Sequence, residues 1–248
     1  MRNVSNITLL ATVIIAALVH GAAHAAAIGL QTATSDYGHI GNAIANTIDG
    51  DTASSGWNLY DTLSLGGREA TIVWETQTVV DVGELTFTMH MLAGSKQILG
   101  RYRLSYTTDN QSLFADGLQI GGDITANWVV LNSPTSLSAT NGVTLVEHGD
   151  SDGSIAANNP ADTSVYTLTY DVNVSGITGF RLEAIADTSL PNDGPGWRDV
   201  TGQARLTEIQ VAGTALEAGE TSIPTPAPIL LMLGGVLAMR RLWNPRRC

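Results

Sequence analysis

Hydrophobic and polar residues alternate with a period of two in several short stretches. Leu85, Phe87, Met89 and Met91 share one face, with Thr86, Thr88 and His90 on the other. Tyr102, Leu104 and Tyr106 alternate with Arg103 and Ser105, and Tyr166, Leu168, Tyr170 and Val172 alternate with Thr167, Thr169 and Asp171. Phe180, Leu182, Ala184 and Ala186 form a further series, and Ile209 and Val211 close the set. Successive side chains of a strand point to opposite faces, so each series predicts a half-buried β-strand. Residues 71–74 (TIVW) and 128–131 (WVVL) read as more deeply buried strands. Between residues 26 and 220 no 3.6-residue period appears, beyond one short helical turn at 42–48. Many short antiparallel strands bury their apolar faces only when two sheets pack together. The pattern therefore predicts an all-β fold, an antiparallel jelly-roll β-sandwich. Residues 110–163 are rich in Asn, Ser, Gly, Asp and Ala. They are expected to form long loops or an insertion at one end of the sandwich, with 128–131 as their one strand.

The two ends of the chain follow another logic. Residues 1–25 carry Arg2, an apolar run at 7–19 and the small-x-small site Ala23-His24-Ala25, the order of a secretory signal peptide. A linker is expected at 214–228, ending in SIPTPAP. Residues 229–239 are uninterruptedly apolar, and Arg240, Arg241, Arg246 and Arg247 follow. A Pro-x-Pro motif (Pro224, Pro226), an apolar helix and an arginine cluster in this order resemble the PEP-CTERM sorting signal of Gram-negative bacteria. Thr225 stands where that family has Glu. The resemblance implies processing by an exosortase-type membrane protease-transpeptidase. It also implies export across the inner membrane, a transient membrane anchor through the C-terminal tail, and delivery to the cell surface or extracellular matrix. A plain C-terminal membrane tail in the positive-inside orientation is the alternative.

Composition narrows the chemistry. The chain has 248 residues and is 44% hydrophobic, enough for a sizeable core. Five of its basic residues lie at the ends, which leaves a body with 7 basic and 23 acidic residues, a net charge of −16. That field repels phosphate backbones, which excludes nucleic acid as a partner, and it attracts cations. The single cysteine is Cys248, so the body offers neither a disulfide framework nor a thiolate metal site. His39, His90 and His148 are far apart and lack the spacing of a zinc site. Neither a Gly-x-Ser-x-Gly elbow nor a thiol nucleophile is present in the body, and a carboxylate pair chosen from so many acids specifies nothing. The protein is expected to be no enzyme.

Residues 42–57 read NAIANTIDGDTASSGW. Asp49 and Asp51 supply hard carboxylates, Thr52 and Ser54 supply hydroxyls, and Gly50 permits a sharp bend. Ca²⁺ takes 6–8 oxygens at about 2.3–2.6 Å, so such a loop can furnish much of a shell. An ordinary Asp-Gly turn with solvated acids is the other reading. The segment resembles the start of a discoidin, or F5/8 type C, domain of the galactose-binding-like superfamily: Asp49, Gly50, Asp51, Ser54 and Trp57 fall on that pattern. Thr47 stands where the family has a smaller residue. Residues 71–74, 82–91, 101–108, 180–186 and 205–211 resemble the family's later strands in order, and the domain spans 26–213. The resemblance implies one structural Ca²⁺ held by Asp49, Asp51, Thr52, Ser54 and Glu208, joining the two ends of the domain. Strand parity agrees: if Ile209 and Val211 face the core, Glu208 points the other way.

The resemblance also implies a ligand site in loops at one end of the sandwich, for sugars or lipid headgroups. Sugar recognition needs an aromatic platform with planar hydrogen-bonding groups. The candidates are Tyr60, Arg68, Trp197 and Arg198, with Tyr37, His39, Trp57 and Asn192 as further loop residues. Trp57 matches a packed family position and is expected in the core. Trp197, in the Gly/Pro-rich loop 192–199, is either an exposed platform or a plug beneath the loop. Arg68 is placed to pair with Glu69 or Asp61 at the surface. The acidic loop 147–152 is either a second cation site or simply solvated. The resulting expectation is a non-catalytic binding protein, secreted to the surface or matrix, that recognises extracellular polysaccharide. The alternative is a structural matrix protein that makes protein–protein contacts and binds no sugar.

Overall fold

The computed structural model describes residues 24–53 and 55–216. Ser54, nearly all of the expected signal peptide, and the sorting-signal residues Pro224, Pro226, Arg240 and Arg241 lie outside the described residues.

Strands β1 (Ala26–Ile28) and β2 (Leu30–Ser35) lead to one turn of 3-10 helix at Ile44–Thr47. Three two-residue strands follow: β3 (Trp57–Asn58), β4 (Tyr60–Asp61) and β5 (Gly66–Gly67). Then come the long β6 (Ala70–Met91) and β7 (Arg101–Thr107). The short β8 (Val129–Val130), β9 (Ser136–Ala139), β10 (Thr144–Glu147) and β11 (Ile155–Asn158) precede the second long strand, β12 (Ser164–Ala184). Strands β13 (Arg205–Leu206) and β14 (Glu208–Thr214) end the series.

Strands β6 and β12 organise the fold. They pair antiparallel along almost their whole lengths, with register shifts between Asp171 and Gly179. The bend falls where the chain is polar or exposed, at residues 77–81 of β6 and 171–176 of β12. Bulges there let one ladder turn from one layer into the other. The early half of β6 pairs with β2 and with the late half of β12, which continues to β7 and then to β11 and β10. The late half of β6 pairs with β14, which carries β1, and with the early half of β12, which carries β9. These halves are the two layers of an antiparallel jelly-roll sandwich.

Alternation builds the core between the layers. Ile72, Trp74, Leu85, Phe87, Met89, Tyr166, Leu168, Phe180 and Leu182 are all fully buried. Phe87 meets Phe180 edge-to-face at 5.3 Å, and Tyr102 stacks on Tyr166 at 5.8 Å, each pair joining opposite layers. A fully buried Phe or Leu stabilises by about 1.5–3 kcal/mol relative to exposure. Trp57 is fully buried, as expected, and its indole N–H donates to the Tyr37 carbonyl at 2.7 Å. Thr47, larger than the family norm, is also fully buried; its hydroxyl accepts from the Trp74 indole at 2.9 Å and donates to the Ile44 carbonyl at 2.7 Å.

Two expectations are corrected. The region 110–163 is loop over most of its length, as expected, but 128–131 is not its one strand: β9, β10 and β11 accompany β8 and extend the first layer through β7 and the second through β9. These strands run only two to four residues, and β9 (SLSA) and β11 (IAAN) are built largely from small and polar residues, which mask the alternation. The separate strands expected at 71–74 and 82–91 are one continuous strand.

Candidate functional site

Two places carry chemistry: the front loop around Asp49 and a cleft beside β3 and β13. In the front loop, Gly50 adopts φ +85°, a conformation that side-chain-bearing residues disfavour, and it sets the bend between the two aspartates. The Asp51 amide donates to Asp49 Oδ1 at 2.8 Å and the Ala53 amide to Asp51 Oδ1 at 3.0 Å, two successive Asx turns. The Thr207 hydroxyl ties this loop to the last strands, lying 2.6 Å from the Thr52 carbonyl and 2.8 Å from the His90 carbonyl.

Glu208 follows directly, opposite His90 in the β14–β6 ladder. Ile209 and Val211 are buried in the core and Gln210 is exposed, so the parity argument holds. Glu208 is nevertheless only 3% exposed, and its Oε2 has no hydrogen-bond partner. Burial pushes its carboxyl up to about 7; the amides of Gly50 and Asp49 oppose this, and the charges of Asp49 and Asp51 add to it. The structure therefore brings Asp49, Asp51, Thr52 and Glu208 to one place. Among the described residues, no three His, Cys, Asp or Glu side chains stand close enough to form a ready-made ligand group. In kind the donors suit a hard cation: carboxylates, a carbonyl, and a buried oxygen without a proton donor.

The acidic loop 147–152 is largely exposed, as a solvated loop would be, yet two of its carboxylates are paired within the fold. Arg101 reaches Asp150 at 2.7 Å, Asp152 at 3.0 Å and Asp187 at 3.2 Å. Arg103 and Arg181 hold Glu183 at 2.8 and 2.9 Å. For Asp152, burial raises the carboxyl, but the hydrogen bonds from Ser154 and the Arg101 charge outweigh it and bring the group down to about 2.

The second place is a cleft of about 380 Å³ lined by His39, Asn42, Asn58, Tyr60, Arg198, Thr201, Gln203 and Arg205. Its frame is backbone pairing between distant segments. Arg205 and Leu206 of β13 pair with Asn58 and Trp57 of β3, and the Leu59 amide donates to the Ala204 carbonyl at 3.0 Å. The loop from 194 to 202 closes tightly. Gly202 has φ +64°, and a Cβ there would stand 1.9 Å from the Pro191 carbonyl oxygen, so only glycine fits. Within this frame the polar side chains brace one another. Gln203 donates to Asn58 Oδ1 at 3.0 Å and to Gln97 Oε1 at 2.7 Å, and Arg198 donates to Gln203 Oε1 at 3.0 Å. The rings of His39 and Tyr60 meet edge-to-face at 5.7 Å.

Of the expected ligand residues, Tyr60 and Arg198 line this cleft. Arg68 lies next to it: its guanidinium sits 4.4 Å above the Tyr37 ring, and the Tyr37 hydroxyl donates to the Tyr60 carbonyl at 2.8 Å. The expected ion pair of Arg68 is not made, since among the described residues no acid bridges it. Trp197 is the plug: it packs against the core, and its indole donates to the Ala157 carbonyl at 2.8 Å. Sequence reasoning missed Asn42, Asn58, Thr201, Gln203 and Arg205. Arg205 sat inside a strand signature, and its missing acidic partner is visible only in three dimensions.

Neither a protein-family model nor a curated protein matches the chain. Solved structures similar to it include the family 32 CBM of Clostridium perfringens NanJ in complex with galactose, at 14% identity and a TM-score of 0.44, covering 76% of this chain and 99% of that one. Another is CpGH89CBM32-5 of Clostridium perfringens in complex with GalNAc-β-1,3-galactose, at 16% identity and TM-score 0.44, covering 75% and 99%. A third is chitosan-binding module 1 of a Paenibacillus sp. IK-5 chitosanase/glucanase, at 12% identity and TM-score 0.33, covering 77% and 99%. The sandwich described above stands on its own strand pairing.

Proposed function

We propose that this protein is a non-catalytic carbohydrate-binding protein, secreted to the cell surface or extracellular matrix, and that the cleft beside β3 and β13 receives extracellular polysaccharide. The make-up of the cleft carries the reading. An aromatic pair, His39 and Tyr60, stands beside the amides of Asn42, Asn58 and Gln203 and the guanidinium of Arg198. A sugar offers C–H faces that suit an aromatic ring and hydroxyl pairs that suit planar amides and guanidinium. Bracing through Gln203 sets the cleft side chains in place before binding, which reduces the entropy cost of ordering them. No carboxylate lines the cleft, whereas glycosidic hydrolysis in its usual form employs two. The terminal motifs support export, surface sorting by an exosortase-type enzyme and passage through a membrane-anchored form.

The same reading gives the front loop a structural Ca²⁺, held by Asp49, Asp51, Thr52, Ser54 and Glu208. The ion neutralises the buried carboxylate and fixes the loop to β14. Binding of the full-length protein to a glycan array tests the sugar reading. A saturable signal is expected, falling at least tenfold in Tyr60→Ala while the melting temperature holds. Flat arrays accompanied by self-association would replace it with the structural matrix role.

A further inference from the structure

The basic residues of the body are few, and their pairing is uneven. Lys96 is bridged to Asp199, and Arg101, Arg103 and Arg181 are bridged to acids across the sheet. Arg198 and Arg205, like Arg68, are different: among the described residues no carboxylate lies within 4.0 Å of their guanidinium groups, although the body carries a net charge of −16. Arg198 and Arg205 line the same cleft, and that cleft contains no acid. Arg198 is braced by Gln203. Arg205 keeps a buried Nε–H with no acceptor, and Thr201 a buried hydroxyl with no partner. Burial, and then the neighbouring charge of Arg198, hold the Arg205 guanidinium below its ordinary range. Two like charges side by side, with one buried donor unfilled, are an arrangement that an anion would relieve.

Resting on the sugar-binding reading, we infer that the cleft selects sugars bearing a carboxylate, with Arg198 and Arg205 as the recognition pair for a uronate. The planar guanidinium matches a carboxylate in a two-point bond, and such charge-assisted bonds are about twice as strong as neutral ones. The Thr201 hydroxyl is the third donor. The negative field of the rest of the body opposes a dense polyanion. The ligand is therefore a single acidic sugar unit or a short run of them.

Calorimetry on the full-length protein tests this with galacturonate, glucuronate and mannuronate trimers, each compared with the same trimer after its carboxylates are reduced to alcohols. At least one acid trimer should bind 10- to 100-fold more tightly than its reduced partner. Arg198→Gln should erase that preference, so that the acid trimer and its reduced partner bind the variant equally. Arg205→Lys, which retains the charge but loses the fork, should erase most of it. Equal binding of acid and reduced forms in every pair overturns the uronate inference and leaves the sugar reading standing. No binding of any trimer in either form overturns both. A preference that survives in Arg198→Gln and in Arg205→Lys also overturns the assignment of these arginines.

Discussion

Asp152 and Glu208 belong to the same net-negative sandwich, yet one carboxyl is held near 2 and the other near 7. Around Asp152 the chain supplies its own cations: Arg101 gathers three carboxylates, and Arg103 and Arg181 share Glu183. Around Glu208 the described residues supply none. Asp49 and Asp51 add like charge, and one buried oxygen lacks a proton donor. The difference shows that burial alone does not decide a carboxylate's state, because both groups pay for desolvation. What decides is whether opposite charge arrives from within the fold or has to come from outside.

Three measurements sharpen or break this contrast. The largest effect is expected for Arg101→Met, which leaves Asp187, with its side chain 12% exposed, without its cation. Removing one partner of a buried network should cost about 3 kcal/mol, read as a lower urea midpoint at pH 7. A change below about 0.5 kcal/mol would place the hub among ordinary surface pairs.

Next comes the cation itself. At free Ca²⁺ of about 10–100 times Kd, stability should rise by about 1.4–2.7 kcal/mol over the chelated protein, a shift of a few to about 10 °C in a melting scan. Glu208→Gln should abolish that shift and, in chelator, should melt no lower than wild type, since it removes a buried charge that two backbone amides but no cation among the described residues offset. An undiminished Ca²⁺ shift in the variant would remove Glu208 from the site.

The smallest effect is the acid limb. The folded-state value for Asp152 lies below the ordinary carboxylate value, so its contribution is present above about pH 4 and is lost as the pH falls toward 2. Asp152→Asn should flatten that limb by about 1 kcal/mol, the modest size reflecting a side chain 30% exposed. An unchanged limb would mean that Arg101 is satisfied by Asp150 and Asp187 alone.

The layers of the fold were legible because a half-buried strand writes its two faces into the sequence as alternation; Leu85 to Met91 and Tyr166 to Val172 show this. Strands β9 and β11 were not legible, because they pair through backbone bonds and put few large apolar side chains into the core. The meeting of the front loop with Glu208 followed from resemblance and strand parity, but the buried depth of Glu208 did not. The cleft was half legible. Tyr60 and Arg198 stood out as an aromatic and a cation in turn-rich sequence. Gln203 and Arg205 reach the cleft only because β13 pairs with β3 across some 150 residues of chain, and no local pattern encodes that pairing.

Strands β6 and β12 pass through both layers as one antiparallel ladder. The sandwich therefore has no seam along which it can open like a book: parting the layers means unzipping the pair that forms them both. Adjustment to a guest must come from the more exposed segments at the rim, above all residues 198–201, while the body beneath stays a rigid anvil. Hydrogen exchange should find that rim loosening long before the ladder does.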